Sequence, residues 1–207
     1  MNWKIRKNSI IIATSILSIL FLSCDKKHSA NTDAIMDHSL TINEILKLDK
    51  KDCDKYNGLQ YDKSQLVINP KNDTIHLAKL LDNSDKTTLI IRFSSYSCSS
   101  CINYLLSKIT PAIENLDIGN CLIIIANVFV GDLHVMQKDY KNIKLYKSDS
   151  LVTDFDMALT PYLFFIDRNN VIQDFYIPRK EVPDDMETYL RHIRGKYTRN
   201  KEENQTQ

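Results

Sequence analysis

TTLIIRFSSYSCSSC, residues 87–101, runs from an unbroken apolar stretch into two cysteines three positions apart. Thr87 to Ser94 reads as a strand buried on both faces of a sheet, with one intruding charge at Arg92. From Ser97 on, Ile102, Leu105, Leu106, Ile109, Ile113 and Leu116 recur at helical spacing, with Pro111 placing a kink. Cys98 and Cys101 therefore stand where a helix begins. Unpaired N–H groups and the positive end of the dipole stabilise a thiolate there. The spacing lets one sulfur reach the other across a single turn. Cys98 is expected to be the exposed nucleophile with a depressed pKa, and Cys101 the buried resolving thiol.

Strand and helix patterns alternate through the rest of the chain. CLIIIANVFV from Cys121 is a second buried strand, residues 132–140 a helix, IKLYK a third strand, and Asp149 to Met157 a helix opened by an Asp cap. PYLFFID and VIQDFYI, separated by Arg168-Asn169-Asn170, form a hairpin, and Val182 to Tyr197 a last helix. Upstream, LTINEILKL (40–48) is a short amphipathic helix, QLVIN a strand, and DTIHLAKLLD another short helix. Such alternation implies right-handed crossovers and a mostly parallel sheet, with the hairpin adding antiparallel strands. The expected fold class is α/β in three layers, a central mixed sheet with helices on both faces.

The N-terminus sets the compartment. Lys4, Arg6 and Lys7 precede an apolar run from Ile10 to Leu22, the layout of a secretory signal over residues 1–23. LFLSC, residues 20–24, resembles a bacterial lipobox, which implies a lipid on Cys24 as the first mature residue. The alternative is an uncleaved N-terminal anchor. Both put the protein body outside the cytoplasm, lipid-anchored in the cell envelope and facing periplasm or cell exterior in the favoured case. Residues 24–39 are polar and read as a tether, 40–73 as an N-terminal extension, 74–197 as the main domain, and 198–207 as a polar tail. Without Lys4, Arg6 and Lys7 the chain holds 24 basic residues against 26 acidic, a net of −2. Nucleic acid is not an expected partner. At 43% apolar and 26% charged the chain is globular in composition, and a monomer is expected.

From about Thr74 to Lys196 the chain resembles the thioredoxin-fold family, in particular the exported TlpA/ResA-like thiol–disulfide oxidoreductases. The resemblance rests on strand, Phe93, Cys98, Cys101 and helix in order, on Thr160-Pro161 ahead of the hairpin, and on the extra helix and strand between 131 and 147. It implies a cis Pro161 lying against the cysteine pair, with Thr160 offering backbone hydrogen bonds to a bound partner. Tyr96 and Ser97 would form the rim of that groove. It also implies disulfide exchange with protein thiols or disulfides, and no cofactor.

Three departures stand out. Ser97, preceded by Tyr96, occupies the position where the family usually has Trp. Ser99-Ser100 between the cysteines lacks the usual proline, making the helix start more polar. Arg92 replaces the acid that the family often buries on this strand to move the resolving thiol's proton, and arginine is no base at any working pH. Asp132 and Asp156 are candidate substitutes. An Arg92 charge near the pair would favour the Cys98 thiolate and modulate the site.

Other readings use the same residues. A structural Cys98–Cys101 disulfide would close a tiny loop, a weak staple. Zinc lacks further ligands at ligand spacing. A copper carrier would recruit a distant His such as His134, but its cysteines are usually spaced one wider. Peroxidases of this architecture place Ser or Thr where Ser95 stands, but need Pro where Ile91 is. A rival from another class is a redox-inactive or sensing lipoprotein that binds a partner through this fold. Cys121 reads as a small buried hydrophobe and Cys53, in KKDCDKY, as an exposed thiol; a bridge between the two is left open.

Overall fold

The computed structural model describes residues 41–82, 85–140, 143–150 and 160–198. The expected signal, the tether with Cys24, most of the 149–157 helix with Asp156, and nearly all of the polar tail lie outside them.

The first helix, α1, spans Ile42–Tyr56. Thr41 and Glu44 start it with a reciprocal capping box: the Glu44 N–H donates to Thr41 Oγ1, and the Thr41 N–H to Glu44 Oε2 at 2.8 Å. This helix runs well past the expected residue 48. Asp49, Cys53 and Tyr56 fall three and four apart and so share its inward face. Cys53 is therefore half-buried in a helix, which corrects the expectation of an exposed thiol. Segment 57–61 then doubles back along the sheet edge, with Gly58 at φ 85.

Strands β1 (Leu66–Ile68) and β2 (Thr74–His76) lead into the short helix α2 (Leu77–Leu81). The central strand β3 (Thr88–Ser94) is buried at every position, as its apolar run requires. Then come α3 (Ser99–Ile113, with Pro111 inside it), β4 (Asn120–Ala126), α4 (Val130–Met136), β5 (Lys144–Lys147), β6 (Tyr162–Ile166), β7 (Ile172–Tyr176) and α5 (Pro183–Tyr197).

The strands form one seven-stranded sheet in the order β2-β1-β5-β4-β3-β6-β7. β3 pairs parallel with β4, and β4 with β5; the other pairings are antiparallel. The sheet is thus mixed rather than mostly parallel. The difference arises because β1, expected in the extension, and β2, expected as the start of the short helix DTIHLAKLLD, form a hairpin that pairs with β5. Strand, cysteine-bearing helix, two further parallel strands and a closing antiparallel hairpin make the α/β fold thioredoxin-like in layout.

Two cores flank the sheet. On one face Leu89, Ile91, Phe93, Ile123 and Ile125 pack with Leu105 and Ile109 of α3 and with Met186, Leu190 and Ile193 of α5. On the other, Ile90, Leu122, Ile124, Tyr162 and Phe164 pack with Tyr56 of α1 and with Leu77 and Leu81 of α2. Tyr56 stacks on Phe175 at 4.9 Å between ring centroids. Cys121 belongs to the first core and Cys53 packs against the second, so the sheet separates them and both are free thiols. No 53–121 bridge exists. Among the described residues no helix is long and apolar enough to cross a membrane.

Candidate active site

β3 ends in a tight turn that delivers Cys98 to the N-cap of α3. The Ser97 N–H donates to the Ser94 carbonyl at 2.9 Å, and the Ser94 N–H to Ser97 Oγ at 3.0 Å. Ser97 is buried by this role, which corrects its assignment to a groove rim. A hydroxyl that closes the turn on its own backbone must point inward. Tyr96 points outward and is 70% exposed. The turn is braced from β4: the Ser95 N–H donates to the Ala126 carbonyl at 3.0 Å, and Ser95 Oγ to the Asn127 carbonyl. Asn127 adopts φ 55, a left-handed conformation that asparagine tolerates, and its N–H donates to Asp149 Oδ1 at 2.8 Å.

Cys98 occupies the N-cap of α3, and its carbonyl accepts the N–H groups of Cys101 and Ile102. Its side chain is exposed, and both cysteines of the pair are free thiols. The Cys98 thiol is drawn down to about 7, first by the Cys101 thiol, then by the Ser100 hydroxyl, the Cys101 N–H and the Lys180 charge. Ser100 Oγ lies 3.1 Å from Cys98 Sγ, and Lys180 Nζ donates to Ser100 Oγ at 2.7 Å. Cys101 is half-buried and moves the other way. Burial raises it, and the neighbouring Cys98 and Glu181 add to the rise. One turn of helix therefore holds one acidic, accessible thiol and one that keeps its proton. The two remaining cysteines among the described residues are pushed up to about 12 by burial.

Arg92 is fully buried on β3 and shares a face with Ile90, whereas the buried residues of α3 pack on the opposite face. Its Nη2 donates to the carbonyls of Ser148 (3.5 Å) and Ser150, just beyond β5. Its charge also helps hold the Asp149 carboxyl below its usual range: burial alone would raise that group, but the Asn127 N–H, Lys147 and Arg92 outweigh it.

Pro161 is buried and Thr160 half-buried. Tyr162 pairs with Arg92, which places Thr160-Pro161 at the end of β3 that carries the cysteines. No cis peptide occurs among the described residues, so the expected cis Pro161 is corrected to trans, the isomer an X–Pro bond prefers when nothing locks the other. Asp132 and His134 are both exposed on α4. Among the described residues the carboxylate that acts on Cys101 is Glu181, which the sequence patterns did not single out, as they also missed Lys180. Both sit in the segment joining β7 to α5, remote in sequence from the cysteines; no local motif marks them. Among the described residues no cluster of three His, Cys, Asp or Glu could hold a metal ion.

No protein-family model and no curated protein matches the chain. Among solved structures it is similar to a thiol peroxidase from Chromobacterium violaceum (TM-score 0.47, 15% identity, 66% of this chain and 87% of that one). It is also similar to a secreted Mycobacterium tuberculosis disulfide oxidoreductase homologous to E. coli DsbE (0.45, 13%, 63% and 96%). A third is the exposed lipoprotein thioredoxin of Streptococcus pneumoniae (0.39, 18%, 62% and 98%). At such similarity the chemistry has to be read from this chain's own residues.

Proposed function

We propose that this chain is a thiol–disulfide oxidoreductase of the exported TlpA/ResA-like kind, tethered outside the cytoplasm by a lipid on Cys24. Its activity is disulfide exchange with another protein. The observation that carries the proposal is the asymmetry of the pair: an exposed Cys98 thiol drawn down to about 7, beside a half-buried Cys101 whose thiol is raised. At neutral pH a substantial fraction of Cys98 is thiolate. It attacks one sulfur of a partner disulfide; the partner's S–S bond breaks and the departing sulfur takes up a proton. Cys101 then loses its proton and attacks Cys98 Sγ, releasing the second partner thiol. The partner gains two electrons, and the chain ends with a Cys98–Cys101 disulfide. A dithiol donor reverses this oxidation for the next cycle. Tyr96 and Thr160-Pro161 would border the docking groove.

Cys101→Ser should arrest exchange at the mixed disulfide and accumulate partner proteins on Cys98, whereas Cys98→Ser should accumulate few. Equal trapping by both variants, or by neither, would favour the rival of a binding lipoprotein whose cysteines do no exchange.

A further inference from the structure

We propose that Lys180 and Ser100 form a positioning relay that holds Cys98 ready as the attacking sulfur; this rests on the exchange activity proposed above. Lys180 Nζ lies 2.7 Å from Ser100 Oγ, and Ser100 Oγ lies 3.1 Å from Cys98 Sγ. An ammonium only donates, so Ser100 Oγ accepts from Lys180 and keeps its own hydrogen for the sulfur. A donor aimed at the sulfur favours thiolate over thiol, and a donor polarised by a cation does so more strongly. The parts come from two elements 80 residues apart, the first turn of α3 and the segment after β7. Arg179, next to Lys180, is pinned by two bonds to Asp49 of α1, which limits how far that segment can drift.

Among the described residues four titratable or charged groups act around Cys98. Cys101 belongs to α3; Arg179, Lys180 and Glu181 belong to the segment after β7. Arg179 is engaged by Asp49; on Cys101 the Lys180 charge lowers the thiol and Glu181 raises it. Lys180 is the cation whose charge acts on Cys98.

In the reaction the Cys98 thiol gives its proton to solvent, and the sulfur's electron pair forms the new S–S bond as the partner's bond breaks. Lys180 and Ser100 end as they began. A Cys98–Cys101 disulfide has no thiolate to stabilise, so the relay favours the dithiol and makes the pair a stronger oxidant.

The test is the rate of alkylation of Cys98 by iodoacetamide against pH, on the reduced full chain, with the modified peptide quantified by mass spectrometry. Lys180→Met and Ser100→Ala should each raise the midpoint by about one pH unit, a roughly tenfold slower alkylation below it. Lys180→Arg, which keeps the charge and the donor, should keep the wild-type midpoint. In glutathione buffers both disabling variants should shift toward the disulfide. A wild-type midpoint in Lys180→Met overturns the relay. So does a shift in Lys180→Met with none in Ser100→Ala, which would make the charge act through space alone. Both substituted side chains, Lys180 and Ser100, are exposed, so the variants should fold, and circular dichroism checks this. The measurement involves no partner protein, so loss of partner trapping would count against the exchange activity and leave the relay standing.

Discussion

Arg179 meets the carboxylate of Asp49 through both Nε and Nη2, each at 2.7 Å, across 130 residues of chain. The pair fastens α1 to the segment that carries Lys180 and Glu181. It is mostly shielded from water, with 12% of the Asp49 side chain and 28% of the Arg179 side chain exposed.

Asp49→Ala leaves the guanidinium without its bidentate partner and should destabilise the fold by about 2 kcal/mol. That is less than a fully buried pair would lose, because Arg179 keeps part of its surface in water. Urea denaturation measures it; an unchanged midpoint would mean the pair contributes nothing net.

The Asp174 carboxylate gathers three partners from α5: His192 Nε2 at 2.9 Å, Lys196 Nζ at 2.8 Å and Tyr197 Oη at 2.5 Å. Burial alone would raise its carboxyl, but Lys196, Tyr197 and His192 together hold it below the usual value. As pH falls, the unfolded chain binds this proton first. The stabilisation is complete above the unfolded value of about 3.9 and is lost as pH falls through the lower folded value. Asp174→Asn should therefore be less stable than wild type at neutral pH, with the difference closing in acid. Asn also tolerates the left-handed φ of 49 found here, so backbone strain does not confuse the result. A constant difference across the pH range would refute the linkage.

Arg92→Met should leave the Cys98 alkylation midpoint close to wild type, because the guanidinium is directed to the carbonyls beyond β5, on the face of the sheet opposite α3. It should cost stability instead, about 1–3 kcal/mol for carbonyls deprived of their donor. A clear rise in the midpoint would show that the Arg92 charge reaches the cysteine pair after all.

The lipid anchor is tested by mass. Wild type expressed in a lipoprotein-competent bacterium should carry an acyl mass and partition into detergent, and Cys24→Ala should do neither. Finding no acyl group on the wild type would remove the tether from the proposal.

The β3–α3 junction, the Tyr162–Tyr176 hairpin and the last helix were legible because each is long and strongly periodic, so core burial leaves one arrangement. β1 and β2 have three residues each, too few to declare a sheet position, and pairing of β1 with β5 is a tertiary event. The extension of α1 to Tyr56 was obscured by its charged residues, although Thr41 and Glu44 already spelled its start. The cysteine pair itself could be placed from the sequence, whereas Lys180 could not, since only the folded return of the chain brings it to Ser100. Ser97 was misplaced because residue type alone does not say whether a turn hydroxyl faces outward or closes on its own backbone.

The segment that follows α1 lies along the outer side of β7. The Gly58 N–H donates to the Ile172 carbonyl at 2.8 Å, the Ile172 N–H to the Leu59 carbonyl at 2.9 Å, and the Phe175 N–H to Asn57 Oδ1 at 2.8 Å. One extra residue in β7 between the partners of Leu163 and Phe165 puts a bulge beside this cover. Ile172 and the Phe175 N–H are thus already engaged on this side of the sheet, and a foreign strand would have to displace segment 57–59 to reach them. The opposite margin, β2, offers three residues, and two of them are Thr74 and His76. Along β7 the chain's own segment holds the place that a foreign strand would take, and β2 at the other margin is short; both features work against the sheet growing from one molecule into the next.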